Sequence, residues 1–305
     1  MTASPHSAPA AVALSTEGLV GTVASVPTSV LRATRFRPRH PPRFILAAGF
    51  LAMLALVALG PGLFTRYDPL TGDFSETLKG PSWVHPFGTD RLGRDVLART
   101  LYGTRYSLLI GLAGMAVSAA AGVLLGVLAG LRNRLLDEAV SRLFDVLSSF
   151  PGVLLAMLVV TFLGQGMANI AIAVGIAGIP KFGRVVRAQT QLVRDADYVT
   201  HAAIYGLGRS RIFLRHVLPN VLVAVPVIAT IYIGNTILVV SGLSFLGLGP
   251  QPPTPEWGVM LAESRDVLRV AWWPGVFPGL AITLTVIAFS IVGGVLQKRF
   301  EGRIA

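Results

Sequence analysis

The stretch RDADYVTHAAIYGLGRSRIFLRHVLPN, residues 194–220, places four arginines, two aspartates and two glycines between long apolar runs. From Asp197 to Tyr205 the residues favour a short helix with Tyr198, Ala202 and Tyr205 on a shared face. Gly206 and Gly208 interrupt that helix, and Ser210 is placed to cap a second one starting near Arg211. Leu218-Pro219 opens the next apolar run, where proline is accepted in a first helical turn, and Pro226 is expected to bend it. The reading is of two short helices with a hinge, fixed to a long helix that any force on them would reach.

The surroundings of this stretch set its context. The chain has 305 residues, 53% hydrophobic and 13% charged, where soluble domains average about 25% charged, and its mean hydropathy is +0.66. These values predict an integral membrane protein. A crossing helix needs roughly 20 apolar residues for a hydrocarbon core of about 30 Å. Arg43 to Arg66 encloses 22 uncharged residues, and Arg105 to Arg132 encloses 26; each holds one span. Asp145 to Lys181 encloses 35, which the Gly164-Gln165-Gly166 break divides into two short spans. Residues 217–241 and the run between Arg269 and Lys298 complete six, with both termini on one side.

Charge tests that count. With the N-terminus inside, the tail, the 131–143 loop, the 181–216 loop and the C-terminal end hold 18 of the 26 Lys and Arg, as the positive-inside rule requires. The formal charge of +11 therefore reads as orientation rather than nucleic-acid binding. Residues 1–43 are expected to be a disordered basic cytoplasmic tail. Residues 44–106 would hold the first span and an extracytoplasmic segment, with residues 90–105 as an interfacial helix presenting Leu92, Val96, Leu97 and Leu101 on one side. Residues 107–305 would form the transmembrane domain with the cytoplasmic loop 181–216. In the second span Gly114, Ser118, Gly122, Gly126 and Gly130 recur every four residues, a flat face for a close neighbour.

Several chemistries are absent from the sequence. There is no cysteine, the five histidines have no partner at metal-ligand spacing, and the three lysines precede Gly80, Phe182 and Arg299, so no P-loop exists. The six expected spans hold no Asp, Glu, Lys, Arg or His, which argues against an ion-coupled relay. A self-contained secondary transporter or channel is the alternative to a chain driven from outside, and a membrane enzyme would need a constellation that is not visible.

The opening stretch resembles the coupling-loop signature of binding-protein-dependent ABC importer permeases: Glu-Ala-Ala, three residues, Gly, nine to ten residues, then Leu-x-Leu-Pro or a variant. Ala202, Gly206, Leu218 and Pro219 match it, while Thr200 and His201 replace the Glu and the first Ala. HPFGTDRLGRDVLARTLYGTRYSLLIG (85–111) and SGLSFLGLGPQPPTPEWGVMLAESRD (241–266) are similar to stretches of the C-type permease of dipeptide, oligopeptide and nickel importers. The resemblance implies an all-α integral membrane protein of six transmembrane helices with the type I ABC importer permease (MetI-like) fold. It implies an ATPase-coupling loop comprising Asp197, Tyr198, Thr200, His201, Ala202, Ala203, Gly206, Arg209 and Arg211, joined to the fifth span at Leu218 and Pro219. It further implies a homologous B-type permease, two cytoplasmic ATPases that bind ATP and Mg, and an extracytoplasmic solute-binding protein as partners in a bacterial cytoplasmic membrane, with no cofactor in this chain.

Overall fold

The computed structural model describes residues 42–304 apart from Arg132. The tail expected over 1–43 falls outside them but for its last two residues. The fold is a helical membrane bundle, and the described residues contain a single isolated β-bridge, Thr89 to Asp95. Five helices are long and apolar enough to cross a membrane: α1 (Pro42–Leu59), α2 (Val96–Gly130), α5 (Met167–Arg194), α9 (Val225–Phe245) and α11 (Trp273–Ile304). The pair α3 (Arg134–Ser148) and α4 (Gly152–Leu163), bent by 91°, is apolar enough to count as a sixth when taken as one broken span. Between α5 and α9 lie α6 (Asp197–Ile204), α7 (Arg209–Ile212), a π-helical turn (Phe213–Val217) and α8 (Leu218–Leu222), and α10 (Trp257–Ser264) precedes α11.

Burial ranks the helices. Half or more of the apolar stretches of α5 and α9 is buried, 56% and 50%, against 17% for α1 and 22% for α11. Consequently α5 and α9 form the centre and α1 and α11 the rim.

The small-residue ladder of α2 packs against α5, as its spacing predicts. A methyl group placed on Gly122 would stand 2.5 Å from Cβ of Phe182, and one on Gly126 would stand 2.6 Å from the Gly183 carbonyl oxygen. Ser118 Oγ donates to the Gly175 carbonyl at 2.8 Å, so even the polar rung serves the contact. Lipid is as apolar as the side chains, so helices associate by close van der Waals fit, which small residues allow. Around this seam Ile110, Val160, Ile170, Val174, Val240 and Leu243 close a core shared by α2, α4, α5 and α9.

Three expectations are corrected here. First, residues 90–105 are not an interfacial helix. Residues 90–95 are loop, and α2 starts at Val96 with the Asp95 side chain accepting from Ala98 N at 2.6 Å. Burial also departs from that pattern: Arg94, Asp95 and Arg99 are buried along with Val96 while Leu92 is exposed, because each of these charged groups has a partner inside. Second, the 181–216 segment is not all loop. Helix α5 continues to Arg194, so Lys181, Arg184 and Arg187 lie in a candidate span, contrary to the reading that the spans are free of ionisable groups. The α5 arginines are sustained by α3, where Arg187 pairs with both oxygens of Asp137 and Arg184 Nη2 meets Asp145 Oδ1 at 3.1 Å. Third, α3 crosses the charged boundary from which a span was expected to start, and the chain turns sharply at Pro151, whose missing N–H and extended backbone break the helix there. The Gly164-Gln165-Gly166 break stands where it was expected, between α4 and α5, with Gly164 at φ +84° and Gly166 at φ +142°.

Candidate functional site

At one end of the bundle the chain builds a protruding element from α6 to α8. Helix α6 begins after Ala196, which offers no side-chain cap, and ends on Gly206, whose φ of +81° is a left-handed conformation that side chains resist. Leu207 N donates to the Ala202 carbonyl at 3.2 Å and Gly206 N to that of Ala203 at 3.0 Å, the paired bonds of a Schellman stop. Gly206 is therefore a terminator with fixed geometry. Helix α7 starts at Arg209 after Gly208, two residues before the expected start, with no side-chain cap from Ser210. The helix then widens into the π-helical turn before α8 carries Leu218 and Pro219 in its first turn. Helix α9 is separated from α8 at Val223–Ala224, just ahead of Pro226.

One face of α6 is anchored. Val199 and Ala202 are buried in a cluster with Ile212, Val217 and Val221 from the following helices, Val127 from α2 and Val186 from α5. Arg194 locks the preceding turn: its Nη1 donates to the last carbonyl of α2, Gly130, at 2.9 Å, and its Nε and Nη2 grip Asp195 at 2.9 and 2.7 Å. The other face is open, since Asp197, Tyr198, Thr200, His201, Ala203, Gly206, Arg209 and Arg211 are all exposed. The expected face of Tyr198, Ala202 and Tyr205 does not form. Ala202 packs inward with Val199, and Tyr205 is 84% exposed. The candidate residues thus occupy one outward surface, apart from buried Ala202 and from Leu218 and Pro219, which lie at the junction with α9. The sequence reading takes Arg194, with the other arginines of the stretch, as a topology charge and a docking surface and misses its lock on α2; its position directly before an aspartate at a helix end is the available signal.

The opposite end is built from the two other quoted stretches, which meet each other. The Glu256 carboxylate caps α10, accepting from Val259 N at 3.0 Å and from Ser107 Oγ of α2 at 3.0 Å. Burial pushes this carboxyl above the usual carboxylate range, and hydrogen bonds from Gly258, Val259 and Ser107 oppose the rise. Trp257, fully buried, donates Nε1 to the Thr100 carbonyl at 2.9 Å. Glu263 joins Arg94 Nη2 at 3.1 Å and Arg99 Nη2 at 2.7 Å, and Asp90 takes Arg94 Nε at 2.6 Å. Nearby, His85 Nδ1 lies 2.8 Å from Asp95 Oδ2. Charge is here confined by matched partners, which ties the start of α2 and the loop before it to α10. Among the described residues no group of three or more His, Cys, Asp or Glu is placed to hold a metal ion.

The comparisons with known proteins fit this geometry. Residues 122–305 match the family described as binding-protein-dependent transport system inner membrane component. The chain is 40% identical over 272 residues to a glutathione transport system permease protein of Pectobacterium atrosepticum, covering 88% of this chain and 89% of that one. It is 39% identical over 249 residues to a dipeptide transport system permease protein of Alkalihalophilus pseudofirmus, 82% of each chain. A di/tripeptide transport system permease protein of Pseudomonas aeruginosa is 39% identical over 261 residues, covering 84% of this chain and 86% of that one. Among solved structures, a crystal structure of an amino acid ABC transporter with histidines superposes with a TM-score of 0.52 at 11% identity, over 66% of this chain and 94% of that one.

Proposed function

The chain belongs to the family of binding-protein-dependent transport system inner membrane components, and on that premise we propose that it is a permease subunit of an ATP-driven importer of di- and oligopeptides or a related small solute. The family is one of transport components rather than enzymes, and the chain is a multi-pass membrane protein. The observation that carries the driven mechanism is α6: one face is anchored by Val199, Ala202 and Arg194, and the other is a free surface of polar and aromatic groups. A partner pressing on that surface acts at once on α2, α5 and α8.

In this reading the α6 end is cytoplasmic, which puts 15 of the 26 Lys and Arg on that side without counting Lys181, Arg184 and Arg187 of α5, and both termini lie there too. Two ATPase subunits bind ATP and Mg, one of them docking on α6, and a B-type permease completes the pathway. A solute-binding protein delivers the cargo at the α10 end. The peptide class is supported by the relatives named for glutathione, dipeptide and di/tripeptide transport. ATP-driven closure of the ATPases would tilt the helices attached to α6 and open the pathway to each side in turn.

Purification of the chain with its membrane partners tests this. The complex is expected to contain ATPase subunits and to take up peptide in proteoliposomes only with ATP, and deletion of residues 197–211 should abolish uptake. Thr200→Glu should be tolerated and His201→Ala should be nearly silent. A complex without ATPases, or uptake by the chain alone on an ion gradient, would establish the secondary-transporter alternative instead.

A further inference from the structure

The bent crossing leaves a cleft whose one unneutralised charge is a cation. Helix α4 has 12 residues, about 18 Å at 1.5 Å per residue, which is too short for a core of about 30 Å. Helix α4 alone therefore cannot complete a crossing, the bend at Pro151 interrupts it, and broken helices are tolerated in a membrane where they border protein or a cavity. A cleft of about 720 Å3 lies there between the α3–α4 bend, α5 and α9, walled by Phe150, Val174 and Ile228 and bearing Lys181, Tyr232 and Asn235. Lys181 stands 14 residues into α5, about 21 Å from its start, level with the bend.

The charges of this cleft do not balance. Its charged lining residues are Lys181 and Arg184, and Asp145 holds Arg184 at 3.1 Å. Lys181 makes no ion pair and no hydrogen bond among the described residues. Its exposed ammonium lies 5.2 Å from the centroid of the Tyr232 ring. A lysine at membrane depth is costly and is kept where it has a functional partner. An ammonium offers three donors and no acceptor, so the matching ligand group is an anion. The cleft is also within the range of about 300–1,000 Å3 typical of small-molecule sites.

We propose that Lys181 receives the terminal carboxylate of the solute in transit, with the apolar wall of Phe150, Val174 and Ile228 taking its body and Asn235 offering an amide to its polar backbone. The proposal rests on the peptide reading given above and names the group of the solute that the permease itself contacts. It makes the permease a second selector for a free carboxylate, downstream of any binding protein.

The test uses the complete importer in proteoliposomes, with ATP, and two labelled forms of one tripeptide, the free acid and its C-terminal amide. Uptake is normalised to the amount of assembled complex and compared between wild type and Lys181→Gln. The Gln variant is expected to lose about tenfold in uptake of the acid while the amide changes less than twofold. Lys181→Arg, which keeps the charge, should stay within about threefold of wild type for both. Equal losses for acid and amide, or no loss for either, would overturn the proposal and assign Lys181 to positioning α5. If Lys181→Gln does not assemble, Lys181→Met, which removes the charge and keeps an unbranched stem, carries the test: the KM for the acid should rise while that for the amide is spared, and an unchanged KM for both overturns the proposal. Wild-type complex that takes up neither peptide would instead refute the peptide reading on which the proposal stands.

Discussion

Glu263 illustrates how single residues decide the fold at the α10 end. It bridges Arg94 and Arg99, whose side chains are 2% and 1% exposed, and is itself 10% exposed. Removing one partner from a buried ion cluster strands the others, which costs about 3–5 kcal/mol. Glu263→Ala is therefore expected to lower the thermal midpoint of the purified protein sharply, whereas Glu76→Ala, which removes an exposed pair with Lys79, should leave it within error. Both stretches that meet here are visible as motifs in the sequence. Their contact is not, because an arginine at the start of a span reads equally well as an interfacial charge and as a buried one; only the presence of Glu263 some 165 residues away decides it. Arg194 was misjudged for the same reason, since its partner, the Gly130 carbonyl, carries no side-chain signature.

Helices α2 and α5 fit by absence of side chains, and here local spacing was informative. A step of four small residues specifies a face on any helix, and the seam with α5 follows it from Gly114 to Gly130. What faces Gly126 is the Gly183 carbonyl and Val186, backbone and a branched side chain that cannot swing aside. Gly126→Val should therefore cost at least about 1–3 kcal/mol and reduce the amount of folded protein recovered, while Gly294→Ala, which meets nothing within 4 Å, should be silent in the same thermal assay. The bent α3–α4 crossing was illegible by contrast. Counting uncharged residues assumes that charges end spans, and α3 breaks that rule because its aspartates pair with the arginines of α5. Lys181 stands beside the bend because α5 continues past it to Arg194.

Taken whole, the molecule has two differently made ends joined by one helix. The helical membrane fold and its long apolar helices were readable from sequence, because each follows from local composition. The closeness of residues 85–111 to 241–266, and the cleft under the bend, depend on tertiary packing and were not. Helix α2 holds both ends directly: Thr100 near its start accepts from Trp257, and Gly130 at its finish accepts from Arg194. It runs 35 residues without proline, about 52 Å at 1.5 Å per residue. The chain has no cysteine, so cysteines introduced at exposed Arg105 and Leu128 would be unique sites for spin labels about 34 Å apart. That separation should stay constant through the ATP cycle while the separation from Arg105 to Tyr205 changes; a changing Arg105–Leu128 distance would show that α2 bends. The molecule would then carry its own ruler, a fixed length against which every other helix displacement in the cycle can be measured.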